Sequence, residues 1–315
     1  MAEVIATLPD GRPMRRVTLS NGTLTATVID HGARLETIRL NGGPNTTAAP
    51  DDPTLYATEY VYFGTVIAPV INRISGATAQ IAGKNHRVEA NVDNRFTPHS
   101  GAAGTQNTIW SITTEASNAV TLTTEMPHGA GGFPGNRTVT VRYALDVATL
   151  TLEVTATTDA PTLLHPAHHG YWSLDGAKTW DGHALEVPAD TYLPRDADEI
   201  PTGEIAPVAG SAYDHRTARG PDPTLDNTFC FTPSFGPRCR LTSPQGRTLV
   251  IHSDAPGLQV YVGDRRGIAL EPQLWPDAPH NPHFPSSRST SWPCSRWVVE
   301  LVFCPASLAS AAAFS

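Results

Sequence analysis

The chain is poor in charge, in paired cysteines and in long apolar runs. Only 17% of its 315 residues are Asp, Glu, Lys or Arg, against about 25% in an average soluble protein. Its basic residues cluster no further than Arg15-Arg16 and Arg265-Arg266, and the net charge is −8. Nucleic acid and anionic membrane are thereby excluded as partners, since both need a basic face. No segment approaches the roughly 18 consecutive apolar residues of a membrane span, and Met1 to Arg16 has no charged start followed by an apolar core. A cytoplasmic protein is expected. Cys230, Cys239, Cys294 and Cys304 form no CxxC pair, and Cys230 and Cys304 sit in apolar surroundings, so buried free thiols are expected in place of disulfides or a metal site. Long helical periodicity is missing too, as is any fixed-period repeat, which argues against propellers and solenoids.

What is present in quantity is glycine (25) and proline (28), spread along the chain. LTATVI (Leu24 to Ile29), VTLTT (Val120 to Thr124), TVTVRYAL (Thr138 to Leu145) and LTLEVT (Leu150 to Thr155) alternate with period two or are rich in β-branched residues. Asn21-Gly22, Asn41-Gly42-Gly43 and Asp175-Gly176 supply turns between such runs. The pattern predicts an all-β protein, a large antiparallel β-sandwich, because sheets this numerous must stack to bury their apolar faces. Pro44 to Pro53 and Pro194 to Pro223 read as excursions over the surface, and the tail from about Pro305 as poorly ordered.

The most concentrated chemistry lies in Ile268 to Ser286, IALEPQLWPDAPHNPHFPS. Ile268-Ala269-Leu270 reads as the end of a buried strand, and Glu271 stands directly before Pro272. A residue before proline is held extended, so Glu271 and Gln273 project to one side and Leu270 to the other. Trp275 and four further prolines make the remainder a stiff loop, unsuited to a helix or a central strand. Such a loop can fix a catalytic carboxylate. It is equally what a surface loop with a solvated Glu271 looks like.

Four other stretches carry polar function. YFGTVIAPVINRISG delivers Asn72-Arg73 ahead of a glycine; the Arg73 fork suits a polyol, a carboxylate, a phosphate or a simple ion pair. NRFTPHSGAAG sets His99 among small residues that let a ligand approach the backbone, although a lone loop histidine is more often structural. LLHPAHHGYWSLDG holds His165, His168 and His169; in an extended segment His165 and His169 share a face and His168 takes the other. HExxH is absent and no Cys or carboxylate lies at metal spacing, so no metal is expected there. A histidine in this segment suits a general acid, and Tyr171-Trp172 suit either the core or the face of a sugar ring. In LDNTFCF, Asp226 is ordinary turn chemistry or a bidentate partner for vicinal hydroxyls.

Taken in order, these stretches resemble the aldose 1-epimerase (mutarotase) family. The resemblance rests on Asn72-Arg73-Ile74, Thr97 to Gly101, His168 to Leu174, Tyr192-Leu193-Pro194 with Ile200 to Ile205, Leu225 to Phe229, and Leu270 to Ser286. It implies a galactose-mutarotase-like sandwich forming one domain over 1–315. It implies Glu271 as general base and His169 as general acid, with Arg73, His99 and Asp226 orienting the sugar and Gln273 and Asn72 adding contacts. It implies a small-molecule monosaccharide as partner, no cofactor, and a monomer or weak homodimer. Anomer interconversion needs a base at the C1 hydroxyl and an acid at the ring oxygen. Glu near its ordinary pKa of about 4.3 is ionised at neutral pH, whereas His near about 6.5 needs a neighbouring carboxylate to keep it partly protonated. Competing readings are an epimerase of a hexose 6-phosphate, which wants more than one converging basic residue where Arg73 is the one clear candidate; a non-catalytic carbohydrate-binding protein; and a glycoside hydrolase pairing Glu271 with Asp226. The chain departs from the family at Ala68-Pro69, His168 and Ser173, and after Ser286 it lacks the Pro-Gly-Glu turn expected before the last strand.

Overall fold

Three antiparallel sheets hold most of the strand residues of the chain, which the computed structural model describes over residues 2–93, 95–285 and 294–305. The largest has eight strands, in the order Ser111–Ala116, Ala119–Met126, Arg137–Asp146, Thr149–Thr158, Cys294–Cys304, Thr248–Ser253, Gly236–Thr242 and Ala184–Glu186. A four-stranded sheet is formed by Glu3–Thr7, Pro13–Ser20, Leu24–Ile29 and Arg34–Leu40. A six-stranded sheet runs Gly170–Trp172, Ile268–Gln273, Gly257–Tyr261, Asp226–Cys230, Thr191–Leu193 and Ala206–Pro207. Among the described residues the helical turns are 3₁₀ segments of five residues or fewer. The expectation of an all-β antiparallel sandwich is met.

Alternation explains why these segments are strands. In Thr149–Thr158 every second residue is buried, and Leu152 and Val154 stand opposite Val299 and Val141 on the two neighbouring strands. Each such buried aliphatic side chain contributes about 2 kcal/mol through removal of apolar area from water. One cluster of buried side chains draws on all three large sheets. The unusual approach to the last strand leaves its pairing regular: Cys294–Cys304 lies inside the large sheet, with Leu301 between Leu150 and Ile251. Ser286 and the tail beyond Pro305 lie outside the described residues.

Three expectations need correction. Ile268–Gln273 runs through Pro272 and has neighbours on both sides. The proline is accommodated because pairing with Gly170–Trp172 stops at Leu270, so its missing N–H falls beyond that neighbour's end. Second, the excursion after Pro194 is only partly superficial: Ala206–Pro207 forms an edge strand, and Val208 and His215 are buried. Third, Cys230 and Cys239 are buried free thiols as expected, but Cys304 is only half-buried; the side chain of Cys294 lies outside the described residues.

Several histidines are locked away from solvent without a partner on one ring nitrogen, namely His31, His165 and His168. Burial pushes His31 and His165 down to about 3 and His168 to about 4, from an ordinary 6.5, with the nearby Arg34 adding to the effect at His31 and His168. A histidine whose folded pKa is depressed gives stability that is present above its unfolded value and is lost as pH falls below it. Each costs about 1.4 kcal/mol per pH unit once the unfolded chain protonates and the folded one does not, or about 4 kcal/mol per unit for the three. The raised pKa of buried Asp30 acts in the opposite sense, but only at lower pH. Melting temperature is therefore expected to fall steadily from pH 7 to pH 5 in a scanning calorimeter; a constant value over that interval contradicts the account.

Candidate active site

One face of the six-stranded sheet forms the floor of a cleft of about 240 Å³. Register builds it row by row. Glu271 stands opposite Gln259, which stands opposite Thr228; two residues along, Tyr171, Ala269, Tyr261 and Asp226 form the next row on the same face. Leu270 points the other way, into the core, as the residue before proline predicts. Gln273 shares the direction of Glu271 but lies beyond the cleft lining, buried with both amide atoms unpaired.

The wall opposite comes from two short strands, Arg73–Ser75 and Phe96–Pro98, whose pairing brings Asn72-Arg73 beside His99. The Asn72 backbone N–H donates to His99 Nδ1 at 3.3 Å, which leaves the neutral ring's proton on Nε2. The proline-rich loop secures this wall. Asp277, in a left-handed conformation at φ 55°, accepts from Ser75 N at 3.0 Å and from Ser75 Oγ at 2.8 Å. Trp275 anchors the loop itself by donating to the Pro256 carbonyl at 2.7 Å and packing edge-on against Phe284.

His169 is held from both sides. Its N–H donates to the Thr65 carbonyl and its carbonyl accepts from Gly64, each at 2.8 Å. Gly64 has φ 68°, and a Cβ there would lie 2.2 Å from the Leu35 carbonyl oxygen, so no other residue fits. The buried Arg34 fixes the preceding turn through the carbonyls of Tyr60 (2.7 Å), Phe63 (2.5 Å) and Val61 (3.1 Å), placing Tyr62 in the cleft. Tyr62 and Tyr171 stack against the His169 ring, with centroids 5.9 Å and 5.0 Å away.

At the bottom, His169 Nε2 lies 3.6 Å from Glu271 Oε1, with both side chains almost fully buried. Glu271 Oε2 and His169 Nδ1 have no partner. Burial drives the Glu271 carboxyl well above the ordinary carboxylate range, the Asp226 charge adding to it and Arg73 opposing it. Burial drives His169 well below 6.5, assisted by His99 and His168, and drives His99 down to about 3. Ordinary pKa values imply an ionised glutamate that keeps the histidine partly protonated. Within the cleft, burial instead disfavours both charges and favours one proton held by the pair.

Asp226 accepts from Arg195 Nη1 at 2.7 Å and from Gln259 Nε2 at 2.6 Å, and Gln259 accepts from Thr228 at 2.5 Å. Burial raises the Asp226 pKa, with Arg195 counteracting. Arg73 forms an ion pair with Glu199, and its Nε is buried without a partner. The structure thus brings Asn72, Arg73, His99, His169, Asp226 and Glu271 to one cleft. His165 and His168 lie outside it, and among the described residues no three His, Cys, Asp or Glu side chains are placed to hold a metal. Tyr171 faces the cleft while Trp172 packs on Phe303 in the core. Sequence reasoning did not single out Tyr62, Arg195, Glu199, Gln259 or Tyr261. Gln259, a lone amide between Leu258 and Val260 in an apolar strand, was the one with a readable signal.

The family profile described as aldose 1-epimerase matches residues 15–290. Human galactose mutarotase is 32% identical over 260 residues, covering 73% of this chain and 75% of that protein. The aldose 1-epimerase of Escherichia coli K12 is 28% identical over 322 residues, covering 90% and 92%. Among solved structures, the GalM/aldose epimerase homologue from C. elegans superposes with a TM-score of 0.83 at 26% identity, covering 92% of this chain and 98% of that one. Galactose 1-epimerase from Lactobacillus acidophilus NCFM shares the fold with a TM-score of 0.84 at 24% identity, covering 96% and 98%. With the profile spanning most of the length, the chain belongs to the aldose 1-epimerase family.

Proposed function

We propose that the protein interconverts the α and β anomers of a free aldose, a hexose such as glucose or galactose, with Glu271 and His169 as the proton-transfer pair. The observation that carries this reading is the 3.6 Å approach of a buried imidazole and a buried carboxylate at the base of a sugar-sized cleft. Glu271 takes the proton of the C1 hydroxyl as His169 protonates the ring oxygen; the C1–O5 bond breaks to give the open-chain aldehyde. C1 turns about the bond to C2. The ring oxygen then attacks the other carbonyl face, returning its proton to His169 while Glu271 returns its own to O1. Ring opening so written starts with the pair's one proton on His169 and Glu271 ionised, and that proton serves both directions because acid and base exchange roles on ring closure. Arg73, His99, Asn72 and Asp226 bind and orient the sugar, and the stacked rings of Tyr62 and Tyr171 surround the acid.

The readings compete on particular contacts. A glycoside hydrolase needs two carboxylates flanking the bond, whereas Asp226 is committed to Arg195 and Gln259, and the partner of Glu271 is an imidazole. The core shared by the three sheets supports one domain. Buried thiols at Cys230 and Cys239 suit the reducing cytoplasm.

Purified protein is expected to speed the approach of α-D-galactose or α-D-glucose to its equilibrium optical rotation. Glu271→Gln and His169→Asn should each lower turnover by about a hundredfold or more, and Arg73→Ala should raise KM as well. Wild-type rates equal to the spontaneous rate across a panel of aldoses would sink the catalytic reading in favour of a binding protein. The pH profile offers a separate check. The active pair carries one proton; a second enters only below 6.5, because His169 is depressed, and the last leaves only well above 4.5, because Glu271 is raised. Consequently the acid limb of kcat/KM, where activity falls as pH is lowered, should lie below the ordinary imidazole value of 6.5. An inflection centred there would mean that His169 titrates as a solvated imidazole.

A further inference from the structure

The loop from Pro194 to Gly203 arches over the cleft on a tight neck. Arg195 bridges Pro201 across that neck. Asp196 closes it, accepting at Oδ1 from the N–H groups of Asp198 (2.8 Å) and Ile200 (3.0 Å) and donating its own N–H to the Ile200 carbonyl at 2.9 Å. This wrapping places Glu199 in the left-handed region at φ 58°, sparsely populated for residues other than glycine. The strained backbone aims the Glu199 carboxylate across the mouth. One oxygen pairs with Arg73, and the other lies 3.2 Å from Arg195 Nη1. Asp198 spans the same gap to Arg95. Arg195 also holds Asp226 at 2.7 Å. Around the rim, charges alternate as Asp226, Arg195, Glu199, Arg73, two of each sign.

We propose that Glu199 is a specificity-determining residue: its carboxylate fills the anion position between Arg73 and Arg195, so the cleft admits neutral aldoses and rejects those that carry a carboxylate of their own, the hexuronates. The inference rests on the anomer-interconverting reading above and adds the substrate class. Geometry supplies the orientation. Glu271 and His169 lie at the closed end, while the Glu199 side chain is 44% exposed at the mouth. A sugar with C1 at the pair turns its far edge outward, toward the rim. A hydroxyl there can accept from Arg73 and donate to Glu199 without breaking the alternation. A hexuronate carboxylate must expel Glu199, leaving that charge unpaired near Asp226, or sit as a third carboxylate beside two guanidinium groups; both are unfavourable where water is partly excluded. The two converging arginines that a charged sugar requires are present, but the protein's own carboxylate holds them.

The test is the ratio of kcat/KM for α-D-galacturonate to that for α-D-galactose, followed by polarimetry in wild type, Glu199→Gln and the double variant Glu199→Gln/Arg195→Met. Glutamine keeps the size of the side chain and removes its charge, so the ratio should rise by about tenfold or more in the single variant, mainly through KM and less at high salt. The double variant, with one guanidinium removed, should lose that gain. Turnover of galactose with a ratio unchanged within about twofold in Glu199→Gln overturns this inference alone, as does a wild type that prefers galacturonate. No turnover of any aldose by wild type overturns the functional reading and this inference with it.

Discussion

The molecule's chemistry depends on one register: Ile268–Gln273 lies in its sheet so that Glu271 emerges toward His169 and Leu270 into the core. A one-residue slip would exchange them, burying a carboxylate among aliphatic side chains and removing the base from the cleft. Both neighbouring strands hold the register, one by pairing Leu270 with Gly170 and the other by pairing Glu271 with Gln259. The burial that follows sets the protonation state. Neither a bare carboxylate nor a bare imidazolium is comfortable there, and a single proton between the two groups satisfies both.

Everything else in the cleft keeps that pair dry, still and faced by polar groups. The backbone of His169 is clamped by Gly64 and Thr65, and Arg34 braces the turn before them. Asp277 ties the proline-rich loop to the strand that carries Arg73. The site therefore draws on segments from Tyr62 to Asp277, and its rigidity comes from side-chain ties between loops more than from the strands alone. At the mouth the balance of charge matters in a different way. A rim of alternating Asp226, Arg195, Glu199 and Arg73 gives a polar surface without net charge, suited to hydroxyls.

Much of this was legible in the sequence because period-two alternation is a local signal. The runs at Leu24, Val120, Thr138 and Leu150 are strands as read, and Pro272 fixes the direction of Glu271 whatever the tertiary context. Ordered motifs brought together six of the cleft's residues. What was not legible depends on distance in three dimensions. Glu199 reaches the cleft through a turn closed by Asp196, and neither residue stands out in the sequence. The depressed His169 follows from burial and from His99 and His168, which no spacing rule encodes. Gln273 satisfies the directional rule and still misses the cleft, because direction does not specify depth. The last strand looked irregular from its approach, yet its own Val, Leu and Phe alternation placed it inside the large sheet.

The account's central claim is that the C1–O5 bond opens while the C1–O1 bond stays intact, by proton exchange with the buried pair. The direct measurement is carbon NMR of galactose labelled with carbon-13 at C1 and oxygen-18 at O1, observed while the protein exchanges the anomers. Ring opening predicts that the isotope-shifted C1 signals persist through many anomer interconversions. Loss of the oxygen label to water at the rate of anomer exchange would show that C1–O1 breaks, and would contradict the assignment of Glu271 and His169 as a ring-opening pair.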